Sequence, residues 1–196
     1  DEEAPIITNP PLDITVECDG LGNTSQINTW AGIYGGMLAT DLCDTDVSYL
    51  AIPGAVIPGC GGTSTIPYTF TAMDDCGNSI SEVAYVYRED NTAPTLSLPT
   101  AINSVECSGP VDDVLDEWLA SATATDICGG VLDITTFLIT EEETCVGTSS
   151  VTILTYGFTA VDDCNNTSAV QTAIFTITDN VPPVITAPDD LTIACG

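Results

Sequence analysis

Phe70-Thr-Ala-Met-Asp-Asp-Cys76 recurs almost unchanged as Phe158-Thr-Ala-Val-Asp-Asp-Cys164, and this stretch decides the fold. The segments that contain the start of each copy alternate β-branched or aromatic side chains with threonine, at residues 65–73 and 151–161. Alternation with a period of two is typical of a half-buried antiparallel strand. Each copy then ends in two aspartates and a cysteine, residues that suit a turn. The stretch therefore predicts an all-β fold in which acidic turns close the strands.

The sequence around this stretch repeats with a long period. Linker-like starts lie 89 residues apart, at Asp1-Glu-Glu-Ala-Pro5, Asp90-Asn-Thr-Ala-Pro94 and Asp179-Asn-Val-Pro-Pro183. A period this long predicts tandem domains and not a solenoid of short units. Two repeats are complete, at 1–89 and 90–178, whereas 179–196 contains a linker and the first strand of a third repeat.

Each repeat also contains one segment with helical periodicity. Residues 110–122 place apolar side chains on one face, at Val111, Val114, Leu115, Trp118, Leu119 and Ala122. Pro110 suits a first helical turn, and residues 24–34 are the counterpart in the first repeat, with Gly35 and Gly36 ending the helix. Each repeat is therefore predicted to be a small β-sandwich with one short crossover helix. Trp30 and Trp118 occupy equivalent positions on the apolar faces, which favours core anchoring over exposed platforms for sugars.

The combined motifs resemble a known family of modules. The pattern runs from Ile14-Thr-Val-Glu-Cys18 through Ala39-Thr-Asp-Leu-Cys43 to Asp74-Asp-Cys-Gly-Asn78, and it covers both repeats. It is similar to the hyalin-repeat-like, immunoglobulin-like modules of very large bacterial surface proteins, adhesins of the Bacteroidetes type especially. The second repeat departs from this pattern at Cys164-Asn-Asn, where the usual glycine is missing. The resemblance implies two tandem immunoglobulin-like sandwiches at a bacterial cell surface, acting as spacers or adhesion modules.

The charge of the chain excludes several functions. Asp and Glu number 29 against a single basic residue, Arg88, with no Lys and no His, giving a formal net charge of -28. Proteins bind nucleic acids and anionic lipid surfaces through Lys and Arg side chains that neutralise phosphate charges, so neither is expected as a partner of this chain. Without His or Lys, nucleophilic and acid–base catalysis lack their usual groups, and the chain is not expected to be an enzyme. No run of 18 apolar residues exists, so no membrane insertion is expected.

Nine cysteines indicate an oxidising, extracellular compartment. A zinc site would use closely spaced thiolates, but no two cysteines are closer than 16 residues. Four cysteines per repeat allow three pairings. The predicted bonds are Cys18–Cys43 and Cys60–Cys76 in the first repeat, and Cys107–Cys128 and Cys145–Cys164 in the second. The first type would join the strands before and after the helix, and the second would tie the ends of one hairpin.

The ninth cysteine, Cys195, begins a third set and is expected to find its partner outside these 196 residues. Two arrangements satisfy this expectation. Either the polypeptide continues as a fibre, which we favour, or strand 183–195 completes a neighbouring subunit by strand addition. Both arrangements give head-to-tail contacts that do not close, and such contacts build filaments.

Acidic turns and linkers predict calcium sites near the ends of the repeats. Ca²⁺ takes six to eight oxygen ligands from carboxylates and carbonyls. The alternative is that Asp and Asn stand there because turns favour them, and no spacing matches an EF-hand loop. The candidates are Asp74, Asp75, Asn78, Glu89, Asp90 and Asn91 in one cluster, and Asp162, Asp163, Asn166, Asp179 and Asn180 in the other.

Two classes of function remain open from the sequence. The first is a structural module of an extracellular fibre or adhesin shaft that associates with neighbouring repeats or subunits. The second is a module that binds glycans or host proteins. Near-identical repeats favour the structural class, because a dedicated binding domain usually diverges from its spacers.

Overall fold

The fold was analysed in a computed structural model, which describes residues 2–146, 149–182 and 184–186. The described chain is mostly β, with one α-helix in each sequence repeat. This confirms the predicted all-β class with one short helix per repeat. No helix among the described residues is both long enough and apolar enough to cross a membrane.

The first repeat pairs seven strands in two sheets. Its elements are β1 (Ile6–Asn9), β2 (Ile14–Glu17), α1 (Thr24–Gly32), β3 (Leu38–Thr40), β4 (Ser48–Pro53), β5 (Ile57–Pro58), β6 (Ser64–Met73) and β7 (Ser79–Glu89). The larger sheet has the order β2-β7-β6-β4, with β5 also paired to β6, and β1 pairs with β3 in a small second sheet. β6 and β7 form an antiparallel hairpin, with Thr71 opposite Ser81. The pairing of β2 with β7 is parallel, which the sequence did not predict.

The second repeat follows the same plan. Its elements are β8 (Thr95–Ser97), β9 (Ile102–Glu106), α2 (Val111–Ala120), β10 (Thr123–Thr125), β11 (Leu132–Val146), β12 (Ser149–Asp162) and β13 (Gln171–Asp179). The larger sheet has the order β11-β12-β13-β9, and β8 pairs with β10. β9 runs parallel to β13, as β2 does to β7. Since β11 contains no proline, it is continuous, whereas Pro53 and Gly54 separate β4 from β5.

Both predicted helices form, with one difference at the end of α1. α2 lies inside the predicted range and has Asp112 and Asp113 in its first turn, where the helix dipole favours negative charge. α1 ends at Gly32, short of the predicted Tyr34, and a 3-10 turn follows at Tyr34–Gly36. Tyr34, Gly35 and Gly36 all have positive φ angles, and this backbone cannot continue a right-handed helix.

Each tryptophan anchors a core, as predicted. Trp30 is 8% exposed and packs edge-on against Tyr68 and Phe70 of β6, with ring centroids 5.2 and 5.1 Å away. Its indole N–H donates to the Leu12 carbonyl at 2.9 Å. A buried indole with its polar atom bonded cannot offer a stacking face to a sugar.

Trp118 repeats this arrangement in the second repeat. It is 4% exposed and packs against Phe158 and Phe175, at centroid distances of 6.0 and 5.3 Å. Its indole N–H donates to the Thr100 carbonyl at 2.8 Å, which lies 18 residues earlier, as Leu12 does before Trp30. The two helices are thus held by the same device.

The compact units do not coincide with the sequence repeats. Unit 1 comprises the described residues up to Ser97 together with Thr123–Thr135 and Thr159–Ala169. Unit 2 comprises Leu98–Ala122, Thr136–Phe158 and the described residues from Val170 onward. Unit 1 therefore contains the first repeat and three segments of the second, at 90–97, 123–135 and 159–169.

Candidate functional site

Two of the segments that the second repeat contributes to unit 1, Thr123–Thr135 and Thr159–Ala169, each carry a cysteine loop. We call them the Cys128 loop (126–130) and the Cys164 loop (162–166). They lie against two loops of the first repeat, the Cys18 loop (18–22) and the Cys60 loop (60–63). We call this set of four loops the docking site.

One disulfide closes the docking site. Cys60 is bonded to Cys164, across a sequence separation of 104 residues. The backbone N–H of Gly61 donates to a carboxylate oxygen of Asp163 at 2.9 Å, beside the bond. The predicted bonds Cys60–Cys76 and Cys145–Cys164 are therefore wrong. The physical reason is that the Cys164 loop, and not the Cys76 loop, reaches the Cys60 loop.

A second pair of cysteines meets in the same site. Cys18 and Cys128 are each 7% exposed, and the Cys128 thiol lies 3.6 Å from the Cys18 carbonyl oxygen. Burial raises the pKa of the Cys128 thiol, and its contacts with Cys18 and Asp90 raise it further. Both thiols are unbonded, as are Cys43 and Cys107, so the predicted pairs Cys18–Cys43 and Cys107–Cys128 are not formed. Cys43 is exposed, whereas the Cys128 loop occupies the place beside Cys18.

Two glycines allow the loops to approach this closely. A Cβ atom on Gly62 would lie 2.7 Å from the Cys128 carbonyl oxygen and 3.1 Å from the Cys18 sulfur. A Cβ atom on Gly20 would lie 2.6 Å from the Ile127 carbonyl oxygen, and Gly20 also has a φ of +70°. Any larger residue at either position would push the loops apart.

A group of carboxylates lies beside the two cysteine pairs. Asp90 and Asp162 are only 8% and 4% exposed. Asp90 belongs to two groups of potential metal ligands, one with Asp126 and Cys128 and the other with Asp162 and Cys164. Within each group, the potential ligand atoms of the three residues all lie within 4.8 Å of one another. Because the Cys164 sulfur is in the disulfide, the usable donors of the second group are its carboxylates. We call Asp90, Asp126 and Asp162 the carboxylate cluster.

The carboxylate cluster concentrates negative charge in a largely buried place. The Oδ2 atom of Asp90 is buried and has no hydrogen-bond partner among the described residues. Burial raises the pKa of Asp126, and the negative charges of Asp90, Asp162 and Asp163 raise it further. The other oxygen of Asp90 accepts from the Thr92 N–H at 3.1 Å. A buried carboxylate oxygen without a partner, among other carboxylates, is costly unless a cation compensates it. The cluster has the oxygen chemistry that Ca²⁺ prefers.

The acidic turn within the Cys164 loop is braced by its own residues. Asp162 accepts hydrogen bonds from the backbone N–H groups of Cys164 and Asn166, both at 2.8 Å, and from the Asn166 amide at 3.0 Å. The same Asn166 amide donates to the Asp90 carbonyl at 3.0 Å. The turn therefore holds Asp162 in place and also contacts the linker residue of the cluster.

Unit 2 has its own smaller group. Glu106, Cys107 and Asp179 have potential ligand atoms within 4.8 Å of one another. Asn180 donates to Glu106 from its backbone at 2.9 Å and from its side chain at 3.2 Å. Partial desolvation, followed by the charge of Asp179 and its hydrogen bond with the thiol, raises the pKa of Cys107.

The remaining predicted calcium ligands lie apart from the carboxylate cluster or are engaged locally. Asp74 is bonded by Asn78, as Asp162 is by Asn166. Asn91 binds Glu17, and Asp75 contacts Asp44 through its backbone N–H. The Glu89 carbonyl accepts from the Cys18 N–H. The set of calcium ligands stays a prediction, as does the role of Cys195, which lies outside the described residues.

Asp126 was not among the ligands predicted from the sequence, and each acidic cluster was predicted within one repeat and the linker that follows it. The prediction grouped Asp74 with Asp90, but the structure groups Asp90 with Asp162 from the second repeat. Asp126 belongs to Ala124-Thr-Asp-Ile-Cys128, which repeats Ala39-Thr-Asp-Leu-Cys43. That repeated Asp-x-Cys spacing was the available signal, because the carboxylate accepts from the N–H of the cysteine that follows.

Comparisons with known proteins find only distant structural likeness. No family model matches the sequence, and no curated protein matches it. Among solved structures, Drosophila N-cadherin EC1-3 is 14% identical over 91% of this chain and 68% of its own, with a TM-score of 0.27. Protocadherin gammaB7 EC3-6 is 12% identical over 90% and 52%, with a TM-score of 0.38. The human desmocollin-1 ectodomain is 12% identical over 89% and 41%, with a TM-score of 0.32.

This chain thus spans about half the length of the protocadherin structure and less of the desmocollin. Identities and scores this low carry no argument about function. The resemblance to hyalin-repeat-like modules gains no support from these comparisons and stays a hypothesis. The β-rich architecture rests on the strand pairings described above.

Proposed function

We propose that this chain is a structural module of an extracellular array, such as a fibre or adhesin shaft, in which loops of one repeat complete the preceding one. One observation carries the proposal: unit 1 takes Thr123–Thr135 and Thr159–Ala169 from the second sequence repeat and is closed by the Cys60–Cys164 disulfide. A chain of similar repeats would use the same contact at every step. Such a chain grows without closing on itself.

An extracellular location supports this role. A disulfide persists in oxidising compartments, and nine cysteines with a net charge of -28 fit a secreted or surface protein. The alternative function, a glycan- or protein-binding module, loses its main candidate because Trp30 and Trp118 are both buried. Self-association between repeats therefore has the stronger support.

Calcium belongs to the same proposal. The carboxylate cluster draws Asp90 from the linker and Asp126 and Asp162 from the two docked loops, so a bound Ca²⁺ would join the linker to both loops. The buried, unpartnered Oδ2 of Asp90 is the atom that most needs such a cation. Calcium would act here as a structural cation that neutralises negative charge in the docking site.

Electron microscopy of the native extracellular material, labelled with an antibody against this chain, tests the proposed function. We expect labelled filaments or extended surface fibres. Dispersed single molecules, together with specific binding on a glycan array, would instead support the binding-module alternative.

Thermal unfolding with and without calcium tests the cation. We expect the melting temperature of the 196-residue chain to rise in millimolar Ca²⁺ and to fall with a chelator at matched ionic strength. Binding to the folded state alone adds about 2.7 kcal/mol when the cation exceeds Kd a hundredfold. Asp90→Asn should abolish the rise, whereas Asp75→Asn, on an exposed turn, should keep it. Equal calcium responses in these two variants would remove the carboxylate cluster as the site.

A further inference from the structure

We infer that the cysteines of this chain pair between successive repeats, and that Cys107 and Cys145 bond to Cys43 and Cys76 of a second copy of the chain. The inference rests on the proposed function and deepens it, because it names the partner and the covalent contact. It uses four cysteines that the structure leaves exposed and unbonded: Cys43, Cys76, Cys107 and Cys145.

The repeat gives each cysteine an equivalent. Along the sequence, the first to fourth cysteines are Cys18, Cys43, Cys60 and Cys76 in the first repeat, and Cys107, Cys128, Cys145 and Cys164 in the second. In the docking site, the third cysteine of one repeat is bonded to the fourth of the next. The first cysteine, Cys18, is buried beside the second of the next, Cys128. The same rule leaves the second and fourth cysteines of the first repeat, and the first and third of the second, without partners among the described residues.

The Cys43 loop (41–45) shares the hydrogen bond that orders the first half of its docked equivalent, although Gly129 and Gly130 of the docked loop have positive φ angles and Asp44 and Thr45 do not. The Cys43 N–H donates to Asp41 at 2.8 Å, and the Cys128 N–H donates to Asp126 at 2.7 Å. At the tip, Leu42 is 96% exposed, whereas Ile127 is 58% exposed and its backbone packs on Gly20. The Cys43 loop is therefore ordered between Asp41 and Cys43 and presents an apolar tip.

The Cys76 loop (74–78) matches the Cys164 loop in the same way. The Asn78 N–H and amide donate to Asp74 at 2.8 and 2.7 Å, as Asn166 does to Asp162. The Asp75 N–H donates to a carboxylate oxygen of Asp44 at 2.7 Å. This bond holds the two loops together, so Cys43 and Cys76 are presented to a partner as a pair.

At its first cysteine, the second repeat matches the first. The Cys18 N–H donates to the Glu89 carbonyl and the Cys107 N–H to the Thr178 carbonyl, both at 2.8 Å. Just before these cysteines, Glu17 binds the linker residue Asn91, and Glu106 binds its equivalent Asn180. Cys107 therefore stands at the end of its strand as Cys18 does.

Charge makes this contact dependent on a cation. Asp179 is the repeat equivalent of Asp90, and Asp41 and Asp74 are the equivalents of Asp126 and Asp162. Docking would bring these three carboxylates together between two chains that each carry a charge of -28. Like charges at such distances repel, so Ca²⁺ should promote the contact that precedes the covalent step.

The bond itself forms by thiol–disulfide exchange with a small disulfide such as oxidised glutathione. The Cys107 thiolate attacks one glutathione sulfur and releases one reduced glutathione. The Cys43 thiolate of the second copy then attacks the Cys107 sulfur and releases the second. Each protein disulfide thus oxidises two thiols, reduces one glutathione disulfide and releases no other product.

Two complementary variants test the pairing, both carrying Cys195→Ser. The first adds Cys43→Ser and Cys76→Ser and can only receive; the second adds Cys107→Ser and Cys145→Ser and can only donate. In a glutathione redox buffer with Ca²⁺, Cys195→Ser alone should give a ladder of oligomers on a non-reducing gel. Each variant alone should stay monomeric, and their mixture should stop at dimers.

Peptide mapping of the mixture, with one variant labelled with ¹⁵N, identifies the bonds. We expect isotopically mixed Cys43–Cys107 and Cys76–Cys145 peptides. Bonds of Cys43 to Cys76 within one chain, symmetric bonds such as Cys43–Cys43, or monomers in the mixture would each overturn the inference. Filaments seen by microscopy of native material that lacks these peptides would overturn the pairing and leave the proposed function standing.

Discussion

The Cys43 and Cys76 loops of the first repeat and the Cys128 and Cys164 loops of the second share internal hydrogen bonds but have different surroundings. The first pair is exposed at its cysteines. In the second pair, Cys128 is buried and Cys164 is bonded. The Asp and Asn residues of each loop therefore make these hydrogen bonds with or without a docked neighbour, and docking adds the contacts with the first repeat.

The largest difference should appear when the fourth cysteine of each repeat is replaced. Cys164→Ser removes the observed disulfide and should lower the free energy of unfolding by about 2–5 kcal/mol. Cys76→Ser should change it little in the monomer, because this thiol is exposed and unbonded. Urea denaturation under oxidising conditions measures both values. Equal losses in the two variants would restore the Cys60–Cys76 pairing.

Added bulk should affect the docking site more than a free loop. Gly20→Ala places a methyl group 2.6 Å from the Ile127 carbonyl oxygen and should cost about 1–3 kcal/mol. Gly77→Ala is the matched control, since Gly77 also has a positive φ, of +91°, but has open space around it. A loss of stability that both variants show reports backbone strain. Any additional loss in Gly20→Ala reports the contact between the Cys18 and Cys128 loops. No excess would mean that the Cys18 and Cys128 loops do not meet in solution.

Substitutions at the apolar tips of the Cys43 and Cys128 loops should differ less in their effect on stability. Ile127→Ser should destabilise the monomer by about 1 kcal/mol at most, because Ile127 is still 58% exposed. Leu42→Ser should lie within about 0.5 kcal/mol of the parent, since Leu42 is 96% exposed. Thermal unfolding compares the two variants. A larger loss for Leu42→Ser would show that the Cys43 loop already has a partner within the monomer.

The smallest difference should be in how the stability of two aspartate variants depends on pH, measured by unfolding in the presence of a chelator. The pKa of Asp126 is raised mainly by burial, so its ionisation costs stability as pH rises through the window above the unfolded value of about 3.9. The pKa of Asp74 is lowered, first by the Asn78 side chain, so Asp74 contributes stability that is lost as pH falls through its folded pKa. At neutral pH, Asp126→Asn should therefore stabilise and Asp74→Asn should destabilise. Both differences should vanish in acid, and the same sign for both at neutral pH would contradict this account.

The sequence predicted those parts of the fold that depend on local pattern. β6, β12 and α2 were found because their periodicity shows which face is buried, and Trp30 and Trp118 were correctly placed in cores. The parallel pairing of β2 with β7 was missed, because alternation says nothing about which strand lies alongside. The pairing of Cys60 was missed for a different reason. The Cys76 and Cys164 loops share one motif, so the sequence offers Cys60 two equal partners, and only the three-dimensional arrangement distinguishes them.

The Cys60–Cys164 bond also changes how the protein would carry a pulling force. Tension applied at the two ends of the polypeptide passes through this bond, so the 104-residue segment that it closes bears no load while the bond is intact. At about 3.4 Å per extended residue, that segment is roughly 350 Å of slack. Under oxidising conditions, pulling would extend only the residues outside the disulfide loop, so each extension would be short. When a reductant opens the bond, the residues inside the loop could extend as well.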